Sequence, residues 1–213
     1  MKTEDLISML ANGAQAVDPH AMRRRYTVAL GWGVVGAALL MVIKLGVRPD
    51  IAEAPLLPMF WVKLGFPSLI LAGALVAAQR LSRPGVRLGR VPVAIATPVL
   101  AMWLLGLVVL LGAASTARNA LVFGASWNVC PIYIASLSVP AFIAVLWAMK
   151  GLAPTRLAVA GAAAGLLSGA LGALIYAFHC PEMAAPFLGI WYLLGMLIPA
   201  TAGAVLGPLL LRW

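Results

Sequence analysis

Charged side chains are scarce in this chain of 213 residues: six Asp and Glu, two His and two Cys, with only 10% of all residues charged. The shortage removes whole classes of chemistry. A membrane metalloprotease needs clustered His and Glu inside its spans, and a quinone-linked thiol oxidoreductase needs an exchanging cysteine pair plus a shuttle pair. Neither set can be assembled, nor can a Ser-His-Asp constellation, a phosphate-cradling loop or paired intramembrane carboxylates. The chain therefore reads as a non-enzyme with no resident cofactor. A proton- or sodium-coupled carrier also lacks its buried acid. Lys44 and Lys63 are the charges in or beside the apolar runs, and both stand near helix ends from which a long side chain reaches the interface. A small secondary transporter or channel is the alternative reading.

What is plentiful is apolar: 63% of residues are hydrophobic and the mean hydropathy is +1.03, too little polar surface to coat a soluble globule. A bilayer accepts segments that satisfy their own backbone hydrogen bonds, so a run of about 20 apolar residues is read as a spanning helix. Such runs predict helices over Tyr26–Leu45, Leu57–Gln79, Val91–Ala114, Pro131–Met149, Leu157–Phe178 and Phe187–Leu211. The expected fold is an all-α integral membrane protein, a six-transmembrane-helix bundle over residues 26–213, preceded by an N-terminal segment over residues 1–25. That segment is polar and ends in Arg23-Arg24-Arg25 with no small-residue cleavage site, so the first span is expected to be retained.

Lys and Arg are stacked in every second loop. One side holds Lys2, Arg23, Arg24, Arg25, Arg80, Arg83, Arg87, Arg90, Lys150, Arg156 and Arg212, and the other holds Arg48 and Arg118. By the positive-inside rule both termini are cytoplasmic in a multi-pass protein of the bacterial inner membrane. The net charge of +9 then reports insertion topology, with membrane lipids rather than nucleic acid as the contact. Arg80, Arg83, Arg87 and Arg90 are read as anchors for lipid phosphates ahead of protein contacts.

The opposite side carries the remaining chemistry. Cys130 lies in Trp127-Asn128-Val129-Cys130-Pro131 and Cys180 in His179-Cys180-Pro181-Glu182. Facing an oxidising periplasm, the pair has three readings: a structural disulfide, a redox or metal sensor, or two unlinked thiols. Cys130, Cys180, His179 and Glu182 together would offer a transient divalent or thiophilic metal ion four ligands of mixed softness. Each cysteine is single, however, with no Cys-x-x-Cys, so spacing alone argues little for a metal.

Small residues mark the packing. Gly161, Gly165 and Gly169 recur every fourth residue, with Gly172 beyond, and predict a close helix contact within the chain in preference to a dimer interface. Pro67, Pro98, Pro140 and Pro199 interrupt the runs and predict kinks. At the N-terminus Thr3 suits an N-cap, Glu4 and Asp5 the first turn, and Leu6, Ile7, Met9 and Leu10 an apolar face. About ten residues are marginal as a lone helix in water. Acidic charge suits a protein groove better than anionic headgroups, and apolar anchors at this spacing are what helix-in-groove docking uses.

Residues along the whole chain carry a resemblance. The pattern Met1-Lys2-Thr3-Glu4-Asp5-Leu6-Ile7, Arg23-Arg24-Arg25, Arg48-Pro49-Asp50, Phe60-Trp61-Val62-Lys63, Trp127-x-x-Cys130, Leu137-Ser138-x-Pro140, Pro154-Thr155-Arg156, His179-Cys180-Pro181-Glu182, Trp191-Tyr192-x-x-Gly195-Met196 and Arg212-Trp213 resembles the NrsF family. Those proteins are proteobacterial inner-membrane negative regulators of extracytoplasmic-function sigma factors. The resemblance implies that the N-terminal segment, through Thr3, Glu4, Asp5, Leu6, Ile7, Met9 and Leu10, helps hold the sigma factor. It further implies that Cys130 and Cys180 sense oxidant or metal stress, beside His179 and Glu182.

Overall fold

Each long apolar run folds as a helix that is apolar all round, as expected of a segment whose outer face meets lipid. The computed structural model describes residues 3–5, 7, 8 and 20–212. In chain order the elements are α1 (Ala21–Lys44), α2 (Pro58–Leu81), α3 (Val91–Gly112), the short α4 (Ser115–Phe123), α5 (Cys130–Lys150), α6 (Leu157–Tyr176) and α7 (Ala185–Leu210). Among the described residues, α1, α2, α3, α5, α6 and α7 are long and apolar enough to cross a membrane. Proline stands in the first two positions of α2, α3, α5 and α7, where its missing N–H is no loss. The internal Pro67, Pro98, Pro140 and Pro199 all lie within helices that continue past them.

The helix α6 is the most enclosed span and packs chiefly on α7, α2 and α5. Its glycine ladder explains why. A Cβ at Gly161 would meet Gly203 O, one at Gly165 would meet Pro199 O, and one at Gly169 would lie 2.7 Å from Met196 O, all on α7. Gly172 turns the same trick toward α5, where a Cβ would lie 2.7 Å from Ile134 O. The stripe is an internal helix contact, as its spacing predicts. On the outer faces Ile43 and Leu209 are 74% exposed and Trp32 71%, a surface suited to acyl chains and not to water.

Three differences from the sequence reading matter. The first helix begins at Ala21, so Arg23, Arg24 and Arg25 lie in its opening turns. The loop after α3 contains α4, an amphipathic piece too short for the run-length signal, ended by Gly124 at φ 52°. The last span includes a π-helical turn over Leu188–Tyr192, which one extra residue per turn produces inside an otherwise α-helical run. At the N-terminus Thr3, Glu4, Asp5, Ile7 and Ser8 are helical and exposed, with Ser8 Oγ donating to Asp5 O at 2.9 Å. Leu6, Met9 and Leu10 lie outside the described residues.

Candidate functional site

At one end of the bundle the chain folds back over its own helix ends. Following α6, His179 N and Cys180 N both donate to Tyr176 O, at 2.9 and 3.0 Å, which curls the chain inward. Cys180 is thereby fully buried, and so is Cys130 at the start of α5. Both are free thiols. They belong to one apolar cluster, which also holds Tyr176. Sequence reasoning brought the two cysteines to the same end; the structure brings them into the same buried cluster.

The loop carrying Cys180 is gripped from α2. Lys63 is 0% exposed, and its Nζ donates to Cys180 O at 2.5 Å and to Glu182 O at 2.8 Å while lying 5.6 Å from the Tyr192 ring centroid. This corrects the expectation that Lys63 reaches out to the interface. The reason is that two backbone carbonyls are presented directly above the helix end, and carbonyls are what a cation inside a membrane protein pairs with. Burying an ammonium without partners costs several kcal/mol, so its bonds to the loop carry weight.

A second cation reinforces the first. Arg48, on the segment following α1, is 5% exposed; its Nη1 donates to Cys180 O at 3.3 Å and its backbone N to Phe178 O at 3.1 Å. Asp50 orients it through two bonds, Nε to Oδ1 at 2.7 Å and Nη2 to Oδ2 at 2.5 Å. This fork-to-carboxylate geometry is the strong form of an ion pair. It holds the Asp50 carboxyl below its ordinary 3.8 and raises the guanidinium above its ordinary value, in both cases chiefly through those hydrogen bonds.

Tyrosines complete the enclosure. Tyr176 and Tyr192 meet at a tilt of 48° with centroids 5.8 Å apart, and Tyr192, in the π-helical turn, is 0% exposed, its hydroxyl without a hydrogen-bond partner among the described residues. Tyr192 belongs to the same buried cluster as Cys180. The arrangement is two thiols, two phenols and one ammonium sealed from solvent. Lys63 bonds the backbone of the thiol loop, so the cation is joined to the cysteines through the Cys180 carbonyl.

The four proposed metal ligands do not converge. Among the described residues no group of three or more His, Cys, Asp and Glu is placed to hold an ion. His179 points away, its Nδ1 2.9 Å from Gly46 O and its ring against Tyr133 and Tyr176. Glu182 turns to the opposite flank, where Oε1 accepts from Ala125 N at 2.7 Å. That flank is closed by Phe123, Trp127 and Trp191, with Trp191 Nε1 donating to Val122 O at 2.8 Å. His179 and Glu182 thus fasten the thiol loop to its neighbours on two sides. The residues that sequence reasoning missed are Lys63, Arg48, Tyr176 and Tyr192; the signal available was a lysine placed inside an apolar run and an Arg-Pro-Asp turn at the same end.

The family model described as "Negative regulator of sigma F" (NrsF) matches residues 10–213. The chain is 56% identical over 213 residues to the "Probable anti-sigma-F factor NrsF" of Azospira oryzae, with 100% of both chains covered. It is 39% identical over 226 residues to the "Anti-sigma-F factor NrsF" of Caulobacter vibrioides, again with 100% of both covered. No solved structure matches the chain.

Proposed function

Because the chain belongs to the NrsF family of negative regulators of sigma F, we propose that it is a membrane anti-sigma factor that holds an extracytoplasmic-function sigma factor at the inner membrane. It lets that factor go when the buried thiols change state. Its role is regulatory and not enzymatic. In this reading both termini are cytoplasmic, the thiol end is periplasmic, and Thr3, Glu4, Asp5, Leu6, Ile7, Met9 and Leu10 form the docking helix. Such a helix places its apolar face in a groove of the sigma factor, and anchors three and four residues apart supply the contact.

One observation supports the sensing half: Cys130 and Cys180, from different elements, are buried in one cluster with Tyr176 while Lys63 and Arg48 grip the Cys180 carbonyl. An organic hydroperoxide supplies a balanced reaction. One thiol attacks the peroxide oxygen, giving a sulfenic acid and an alcohol; the other thiol then displaces water to form the disulfide. Two thiols and one hydroperoxide thus become a disulfide, an alcohol and water. A metal signal would meet two sulfurs alone, since His179 and Glu182 are bonded elsewhere. Two thiolates suit a soft cation.

The test has two arms. A sigma factor should co-purify with the full-length chain and be lost when Leu6 and Leu10 are both changed to Asp. Cys130→Ser and Cys180→Ser should keep that partner yet fail to release it under hydroperoxide or a soft metal. Release that proceeds unchanged in both cysteine variants overturns the sensing role, and a partner retained by the Leu6→Asp, Leu10→Asp chain overturns the docking role.

A further inference from the structure

At the end of the bundle opposite the thiols, the loop over residues 82–90 is built to a fixed shape. Gly85 at φ 78° and Gly89 at φ 58° adopt left-handed conformations that other residues rarely take. Arg80 Nη1 donates to Leu88 O at 2.7 Å and clasps the loop back onto α2. Below it, Tyr26 Oη and Ser82 Oγ lie 2.9 Å apart and tie α1 to the end of α2. These contacts enclose an open cavity of about 410 Å³, lined by Arg80, Arg83 and Arg87 together with Met22, Val76 and Val86.

The cavity concentrates positive charge. Asp50, Glu53 and Glu182 belong to the thiol end and Glu4, Asp5 and Asp18 to the N-terminal segment, and among the described residues no carboxylate forms an ion pair with any of the three arginines. Arg83 and Arg87 are exposed, as are the flanks of Val76 and Val86, each 40%. The cavity stands where α1 begins and α2 ends, the level at which a spanning helix passes from hydrocarbon to headgroups. Its complement is therefore an anion joined to an apolar body and delivered within the plane of the membrane.

We propose that this cavity binds one anionic glycerophospholipid, with Arg83 and Arg87 on the phosphate and Met22, Val76 and Val86 against the glycerol-ester region. A guanidinium presents a planar fork that fits two phosphate oxygens, which a generic surface charge does not. Arg80, already bonded to Leu88, shapes the loop and adds charge. This site stands independently of sigma-factor binding.

Native mass spectrometry of the full-length chain, released from micelles doped with phosphatidylglycerol and phosphatidylcholine in equal amounts, tests it. The expected result is one retained phosphatidylglycerol per chain in preference to phosphatidylcholine. Arg83→Gln with Arg87→Gln should weaken that retention by about thirty-fold. Val86→Trp, which keeps every charge and fills the cavity, should weaken it too, whereas Lys150→Gln with Arg156→Gln, at the same end but outside the cavity, should not. Equal retention of both lipids, equal loss in the Lys150 and Arg156 control, or displacement of the lipid by millimolar inorganic phosphate alone would overturn the site. So would an Arg83 and Arg87 variant that keeps its lipid but loses a sigma factor, because the cavity would then be a protein contact.

Discussion

Replacing Lys63 by Met isolates the grip on the thiol loop. The change keeps side-chain length and volume but removes two charge-assisted hydrogen bonds, to Cys180 O and Glu182 O, and the contact with the Tyr192 ring. Each such bond contributes about 1.5–3 kcal/mol, and a desolvated cation over an aromatic ring about 2 kcal/mol. Against this stands relief of the buried ammonium's desolvation, several kcal/mol. The opposing contributions nearly cancel in global stability, so thermal unfolding is a poor readout. Local opening of residues 177–184 is a good one, because there the lost bonds are not offset. Taking the lower figure for both bonds, the opening equilibrium rises by about 3 kcal/mol, or roughly a hundredfold. Hydrogen exchange of the His179 and Cys180 amides, which are closed onto Tyr176 O in the native loop, should accelerate by that factor in Lys63→Met. The exposed Lys44 at the same end is the control, and Lys44→Met should leave the exchange unaltered. Equal exchange in wild type and Lys63→Met would refute the claim that this lysine holds the loop.

Other consequences are simpler. Gly165→Val would drive a side chain into Pro199 O and should destabilise the α6–α7 contact by about 3 kcal/mol, read by denaturant titration in detergent. Gly31→Ala, with nothing within 4 Å, should instead be neutral or stabilising by up to about 1 kcal/mol. Trp191→Phe removes the bond to Val122 O and, at about 1 kcal/mol, should make tryptic cleavage after the exposed Arg118 about fivefold faster. Because Asp50 is held below its ordinary 3.8 chiefly by Arg48, its contribution is complete above that pH and is lost as pH falls through the lower folded value. Near-ultraviolet circular dichroism from the aromatic residues at the thiol end should change there in wild type but not in Asp50→Asn.

The spans were legible because bilayer thickness converts run length directly into structure, and the ladder from Gly161 to Gly172 was legible because backbone contact between helices requires small residues at a fixed spacing. The thiol end was only half legible. Cysteine positions and loop order bring Cys130 and Cys180 to one side, but the partner of Lys63 lies 117 residues away, and no local pattern encodes that encounter. His179 and Glu182 misled for a related reason. Their nearness to Cys180 in sequence suggested shared ligation, yet an irregular segment has no side-chain period, and the two turn to Gly46 and Ala125 on opposite flanks. Tyr192 became part of the site through a π-helical turn that shifts its register by one residue, a local event that hydropathy does not record.

Under the proposed mechanism a thiol event must be felt at the other end, and only an element touching both ends can carry it. Besides α5 with Cys130 and α7 with Tyr192, two helices of contrasting packing run from the thiol end to the other. The first, α6, places Tyr176 among the thiols, but carbonyls of α7 occupy the space beside Gly161, Gly165 and Gly169, so sliding it means breaking a closely packed backbone contact. The second, α2, has no such ladder: a Cβ at Gly65 would find open space, and one at Gly73 would lie 2.7 Å from the Ile95 side chain. It runs from Lys63 under the Cys180 loop to Arg80, the residue that clasps the loop over residues 82–90, a span of about 26 Å at about 1.5 Å per residue. Swinging a two-state protein from 1:99 to 99:1 takes about 5.5 kcal/mol. The two bonds of Lys63 amount to about 3–6 kcal/mol together, so a reaction that displaces the Cys180 carbonyl is of sufficient size to move α2, whose glycines, unlike those of α6, do not face a neighbour's carbonyl.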